Sequence, residues 1–201
     1  MTDQTVPDVA SIQELKAELR SAALAKRDAL PAPMRAAAAD AIAARIFPVL
    51  VPSGAVVSGY SPIKSELNPV PLMRRLADVG AQLALPVVQG RGKPLIMRSW
   101  SFGAPLVSGV WGIREPAADA PEVFPDIMLV PLAAFDRQGR RIGYGAGYYD
   151  MTIARIRAMK PVVAIGLAFA AQEADKIPAE PHDAPLDLVL SERELIDFRR
   201  Q

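Results

Sequence analysis

Hydrophobic and polar positions along the chain follow two periods, and their alternation predicts the elements. Between residues 11 and 30, Ile12, Leu15, Leu19 and Ala22 recur every three or four positions, the spacing of one buried helix face, with Ser11 placed as N-cap and Pro31 as stop. The alanine-rich residues 34–50 predict a second amphipathic helix, interrupted at Pro48, and residues 69–79 and 148–156 predict two more. Short apolar runs bounded by proline and glycine read as strands over residues 54–60, 82–88, 94–100, 126–132, 161–169 and 186–190. The run from Asp126 to Leu132 is apolar at odd and even positions alike, as expected of a strand covered on both faces. Residues 126–169 therefore predict one βαβ unit with two parallel neighbouring strands, and the whole alternation predicts an α/β fold. Residues 192–201 predict a short charged terminal turn or helix, and residues 1–10, with acids and a proline, a flexible tail.

Composition narrows the function classes. The 201 residues suffice for one sizeable core. A formal net charge of +1 provides no broad basic field, so nucleic acid is not an expected partner. The absence of cysteine removes disulfides, thiolate metal sites and cysteine nucleophiles, and the single histidine, His182, removes a multi-histidine metal site. His182 reads as structural rather than catalytic. The N-terminus lacks the basic and apolar regions of a signal peptide, and no apolar run reaches the ~18 residues of a membrane span. A cytoplasmic chain without a membrane partner is the expectation.

Candidate chemistry concentrates in residues 126–150. After the apolar run, Asp136, Gln138 and Gly139 supply a turn, and Arg140 and Arg141 set two cations before Gly143-Tyr144-Gly145-Ala146-Gly147. Glycine at every second position allows positive φ and lets bare N–H groups approach an anion. The helix predicted from Tyr148 adds unpaired N–H donors and partial positive charge, so strand, loop and helix make a phosphate pocket. The loop matches neither GxGxxG nor GxxxxGK[ST]. Asp150 reads either as a capping residue or as a magnesium ligand beside phosphates. Lys16, Arg20 and Arg27 share one helical stripe, which alone reads as a solvated face, and Glu66 alone reads as an exposed loop acid at a strand end.

The run FDRQGRRIGYGAGYYD, with Lys16 and Arg20, YSPIKSE at residues 60–66, WGIREP at 111–116, GLAFAAQ and EPHDAPLDLVL in order, resembles the 5-formyltetrahydrofolate cyclo-ligase family over most of the chain. The resemblance implies a three-layer α/β sandwich with a mostly parallel central sheet, similar to the NagB/RpiA/CoA-transferase-like fold, with residues 11–201 as one domain. It implies ATP- and Mg²⁺-dependent ring closure of 5-formyltetrahydrofolate to 5,10-methenyltetrahydrofolate through a phosphorylated formyl intermediate, in a monomer. Lys16 and Arg20 then contact the phosphates of ATP, as does the run Arg141, Ile142, Gly143, Tyr144, Gly145, Ala146, Gly147, Tyr148 and Tyr149. Tyr60, Glu66 and Trp111 hold the folate, together with the loop from Tyr144 to Tyr148. Arg141 and Tyr148 are the catalytic candidates, and Asp150 with Asp187 the magnesium ligands.

Two positions depart from the family's pattern: Ala146, where glycine or lysine is common, and Met151, where arginine is common. They leave open a paralogue that binds nucleotide or folate without turnover. A third reading, an isomerase or CoA-transferase relative, lacks a convincing glutamate nucleophile motif.

Overall fold

The computed structural model describes residues 9–199; residues 1–8 of the expected tail, and residues 200 and 201, lie outside the described residues. Helix α1, Val9–Asp28, is already running at Val9, so Ser11 sits inside it rather than capping it, and positions 9 and 10 belong to helix. Helix α2, Ala32–Ala44, is shorter than its periodicity predicts. Arg45 turns the backbone extended (φ −68°, ψ 154°), and beyond it Ile46 and Leu50 are exposed. Helix α3, Val70–Asp78, follows the expected bounds closely.

The strands are β1 Val56–Ser58, β2 Gln82–Val87, β3 Ile96–Ser99, β4 Leu106–Ser108, β5 Arg114–Pro116, β6 Ile127–Pro131, β7 Ala134–Phe135, β8 Arg141–Ile142, β9 Val163–Leu167, β10 Leu188–Leu190 and β11 Leu195–Asp197, with helix α4, Tyr148–Arg157, between β8 and β9. Seven strands form the central sheet in the order β11-β10-β9-β6-β1-β2-β3. The five inner strands are parallel and the two edges, β3 on β2 and β11 on β10, run antiparallel. β6 and β9 pair in parallel from Ile127 opposite Val163 to Pro131 opposite Leu167, the expected βαβ neighbours. The C-terminal segment is a correction: an edge strand stands where a turn or helix was expected, because Leu195 and Ile196 alternate over three residues only and pairing with β10 decides the outcome.

The sheet is covered on both faces. Ile127, Leu129, Ile165 and Leu167 pack with Ile42, Leu72, Met73 and Leu76 from α2 and α3. The alternate positions Met128, Val130 and Ala164 pack with Ile153 and Ile156 of α4. Helix α1 joins a smaller cluster, Ala23 with Ala134, Ile142 and Ile177, beside the β7–β8 hairpin. Asp136 is fully buried and shapes that hairpin, accepting bonds from the backbone N–H groups of Gln138, Arg140 and Ile177 at 2.9, 3.0 and 3.0 Å. Among the described residues no helix is long and apolar enough to cross a membrane.

Gly166 marks the tightest approach in the inner strands. A Cβ there would stand 2.7 Å from Leu186 Cδ1 and 2.8 Å from Leu132 Cδ2. Gly166→Ala is expected to cost about 1–3 kcal/mol through overpacking, read as a lower urea midpoint at unchanged slope. A midpoint equal to wild type would show that the two leucines yield freely.

The strand order reverses between β1 and β6: β1 leads through α3 to β2 on one side, and β6 through α4 to β9 on the other. Loops leaving the C-terminal ends of strands at such a point form the ligand crevice of open α/β sheets. Here they are residues 59–69 after β1 and residues 132–147 after β6.

Candidate active site

The loop after β6 leads through the β7–β8 hairpin to the three glycines. Gly145 and Gly147 take φ of +97° and +68°, conformations that L side chains rarely adopt, whereas Gly143 does not need positive φ. Gly147 precedes α4, and the first intrahelical bond runs from Met151 N–H to Gly147 O at 3.1 Å. The N–H groups of Tyr148, Tyr149 and Asp150 have no carbonyl one turn earlier to bond, and they face the same end as the loop. Ala146 is exposed beside them, and Ile142 is buried in the hairpin cluster rather than open to a ligand.

Helix α1 lies across this loop. Arg20 Nε donates to Gly143 O at 2.7 Å. The Arg20 Nη2 and Nη1 atoms lie 3.4 and 3.7 Å from the point where a Gly145 Cβ would stand. Lys16 Nζ binds Glu180 at 2.8 Å and Asp183 at 2.5 Å. Burial opposes its charge, but the two carboxylates outweigh this and raise its pKa. The stripe that could have been solvated is thus turned inward: Lys16 is buried and Arg27 fully so.

Arg141 is buried and spends its guanidinium within the protein. Nη2 donates to Asp150 Oδ1 at 2.8 Å, and Nη1 to Ala184 O. Ala184 N–H also donates to Asp150 Oδ1, at 3.0 Å. Asp150 is therefore not an N-cap; it ties the start of α4 to the 180–184 segment. Both recorded bonds fall on Oδ1.

Asp187 is not brought to Asp150. Its Oδ2 accepts from Arg157 Nη2 at 2.8 Å and from Ala164 N–H at 2.7 Å, beside the start of β9. Arg157 ends α4 and Asp150 lies in its first turn. From 150 to 157 the axis advances about 10 Å. The expected pair of magnesium carboxylates does not converge, because Asp187 lies beside the far end of α4, opposite the glycine loop. The acids that do reach the loop's side are Glu180 and Asp183. With His182 their ligand atoms lie within 4.8 Å of one another, around the Lys16 ammonium.

On the other side of the switch point, Glu66 is 9% exposed, and its Oε2 accepts from Ile63 N–H at 2.8 Å. Burial pushes its pKa up to about 7, against the opposing pull of the Ile63 N–H and the Arg27 charge. It is a buried carboxyl, not an exposed loop acid. Tyr60 belongs to the core: it is 3% exposed, and its hydroxyl donates to Leu67 O at 2.6 Å. It backs the pocket and presents no face for stacking. Burial, and then the Glu66 charge, raise the Tyr60 and Tyr149 phenols well above their usual value.

Trp111 tips the β4–β5 hairpin at 70% exposure with φ +59°, a strained value for a bulky residue. Its ring lies 6.0 Å from that of Tyr148 at the start of α4. Ser61 Oγ donates to Arg114 O at 2.6 Å, which ties the hairpin to the loop after β1. Sequence reasoning did not place Arg27, Ser65, Glu180 or Asp183 in the site. The first helix's cationic stripe and the EPHD segment held the signal, but only the docking of α1 makes it readable.

Fold and site together define an α/β protein that gathers a glycine-rich loop at a helix N-terminus and a buried carboxyl at the switch point of a mostly parallel sheet. The chain belongs to the 5-formyltetrahydrofolate cyclo-ligase family, whose model matches residues 12–192. It is 35% identical over 187 residues to the 5-formyltetrahydrofolate cyclo-ligase of Mycolicibacterium smegmatis, covering 88% of this chain and 93% of that protein. It is 31% identical over 140 residues to that of Escherichia coli K12, covering 67% of this chain and 76% of that protein. The NMR structure of Aquifex aeolicus 5,10-methenyltetrahydrofolate synthetase superposes with a TM-score of 0.75 at 30% identity, covering 92% of this chain and 93% of the other.

Proposed function

We propose that this ligase closes 5-formyltetrahydrofolate to 5,10-methenyltetrahydrofolate, with MgATP as co-substrate and ADP and phosphate as products. One observation carries the reading: a glycine loop at a helix N-terminus and a buried carboxyl face each other across the switch point. The first suits a triphosphate and the second the N–H groups of a reduced pterin.

In the proposed sequence the formyl oxygen attacks the γ-phosphorus as the bond to ADP breaks. Nitrogen 10 then attacks the activated carbon, the carbon–oxygen bond breaks with phosphate leaving, and the nitrogen 10 proton is lost. No protein nucleophile is needed, so positioning and charge neutralisation dominate. The amides around Gly145 and Gly147, with Arg20 and Lys16, bind phosphate oxygens, and the nucleotide draws Lys16 away from Glu180 and Asp183. Arg141 acts through Asp150 and Ala184 as a positioning residue. Trp111 and Tyr148 wall the reacting centre and exclude water.

Asp150 together with Asp187 does not fit one cation, for the reason given by α4. Asp150 alone fits a magnesium ion otherwise held by phosphate oxygens and water, since both of its recorded bonds use one oxygen. That ion would neutralise phosphate charge.

The test is an optical assay of the methenyl product with purified chain, 5-formyltetrahydrofolate, ATP and Mg²⁺. Product and ADP should appear one for one, and neither should form without ATP or Mg²⁺. Asp150→Asn keeps an acceptor for Arg141 and should retain the fold while turnover falls roughly 10²-fold. Tight binding of both ligands without product would favour a non-catalytic paralogue instead.

A further inference from the structure

Arg27 has no role in the reaction as described above, yet it is the largest fully buried side chain among the described residues, at 0% exposure. Its Nε donates to Ser65 Oγ at 2.9 Å and its Nη2 to the Tyr144 hydroxyl at 2.6 Å. The guanidinium carbon lies 5.6 Å from the centroid of the Tyr144 ring. Nη1 is buried without a hydrogen-bond partner. Asp28 Oδ1 stands 3.9 Å from Nε and instead accepts a short bond from Ser65 Oγ.

Such an arrangement is costly by ordinary rules. A buried guanidinium is stable when a carboxylate takes its fork and every N–H is used; here a hydroxyl and a phenol take its bonds and one nitrogen is unspent. Packing of α1 does not require it, since an apolar side chain of similar length would fill the space without the desolvation cost.

The partners of Arg27 explain its retention. Ser65 precedes Glu66 in the loop after β1, and Tyr144 lies in the glycine loop after β6. One side chain of α1 thus bonds both walls of the crevice, the folate wall through Nε and the nucleotide wall through Nη2. Its charge also acts on Glu66, Tyr60 and Tyr144.

We propose that Arg27 is a positioning residue that couples the two halves of the site: by bonding Ser65 and Tyr144 together, it makes binding of folate order the nucleotide loop, and binding of nucleotide order the folate wall. The inference rests on the functional reading above and adds to it a residue and a thermodynamic consequence. Coupling between two sites is reciprocal, and it is positive where each ligand orders the element they share.

The experiment measures that coupling directly. The dissociation constant of a β,γ-imido ATP analogue with Mg²⁺ is determined by calorimetry, with and without saturating 5-formyltetrahydrofolate. Wild type should bind the analogue roughly fivefold or more tightly when folate is present. Arg27→Lys, which keeps the charge but loses the planar fork, should bring the ratio close to one. Where Arg27 variants do not fold, Tyr144→Phe and Ser65→Ala cut the link from either end while leaving Arg27 in place, and both should lower the ratio. A merely structural arginine would alter melting temperature and leave the ratio unmoved. A wild-type enzyme that forms product but shows a ratio near one, or folded variants that keep the wild-type ratio, overturns the coupling alone. A wild-type chain that binds neither ligand overturns the functional reading and this inference with it.

Discussion

Gly145→Val is expected to lower kcat/KM for ATP by roughly 10²-fold or more while the protein stays folded. Gly145 takes φ +97°, so any side chain there is strained, at about 1–2 kcal/mol or a few degrees of melting temperature. Space is not the obstacle in the free protein, because an added Cβ meets nothing closer than the Arg20 guanidinium at 3.4 Å. The large effect comes from what the Cβ and its two methyls do to an incoming phosphate. They hold it off the loop amides, where a hydrogen bond to an anion needs a donor–acceptor distance of about 2.7–2.9 Å. They also press on the guanidinium that neutralises it. Nucleotide titration and circular dichroism together check this. A folded valine variant with wild-type ATP affinity would falsify the assignment of the loop.

Glu66→Gln should produce opposite changes in activity and stability. Burial is the main reason Glu66 sits near 7 rather than 4.5. A carboxyl raised in the folded state favours its neutral form there, so its stability contribution is fully present below about 4.5 and is lost as pH rises to 7. The move from 4.5 to about 7 corresponds to about 3 kcal/mol as an upper estimate, at about 1.4 kcal/mol per pH unit. Glutamine cannot ionise, so at pH 8 the variant should melt higher than wild type, and the difference should vanish near pH 4.5. Activity should go the other way. Wild-type kcat/KM for folate should rise with pH through about 7 as the carboxylate forms, and the variant should lose that rise and about 10²-fold in rate at pH 8. Opposite changes in activity and stability are the signature of a stability–activity trade-off at one side chain. Equal pH–rate profiles for the two proteins would remove Glu66 from the folate subsite.

Much of this was legible in the chain itself. The βαβ unit was, because the apolar runs of β6 and β9 flank a helix-period segment and few other packings bury all three. The glycine loop leading into a helix was legible too, since glycine spacing followed by a helix start is local chemistry. Element ends were less so: α2 stops at Ala44 because the backbone turns at Arg45, and β11 exists because β10 offers it an open edge. A three-residue strand has too little period of its own to announce it.

The residues of the site divide along the same line. Sequence by itself determined the α/β alternation, the glycine loop and the family, because each rests on patterns within a short window or on ordered motifs. Tertiary structure alone decided that Asp187 bonds the far end of α4 and that Glu180 and Asp183 meet Lys16. It alone placed Tyr60 in the core and Arg27 beneath both walls of the crevice. The physical reason is common to all four: a side chain's charge and reach are written at its own position, but its dielectric and its partners come from segments distant in the chain, and these exist only once α1 and the 180–184 loop close on the sheet.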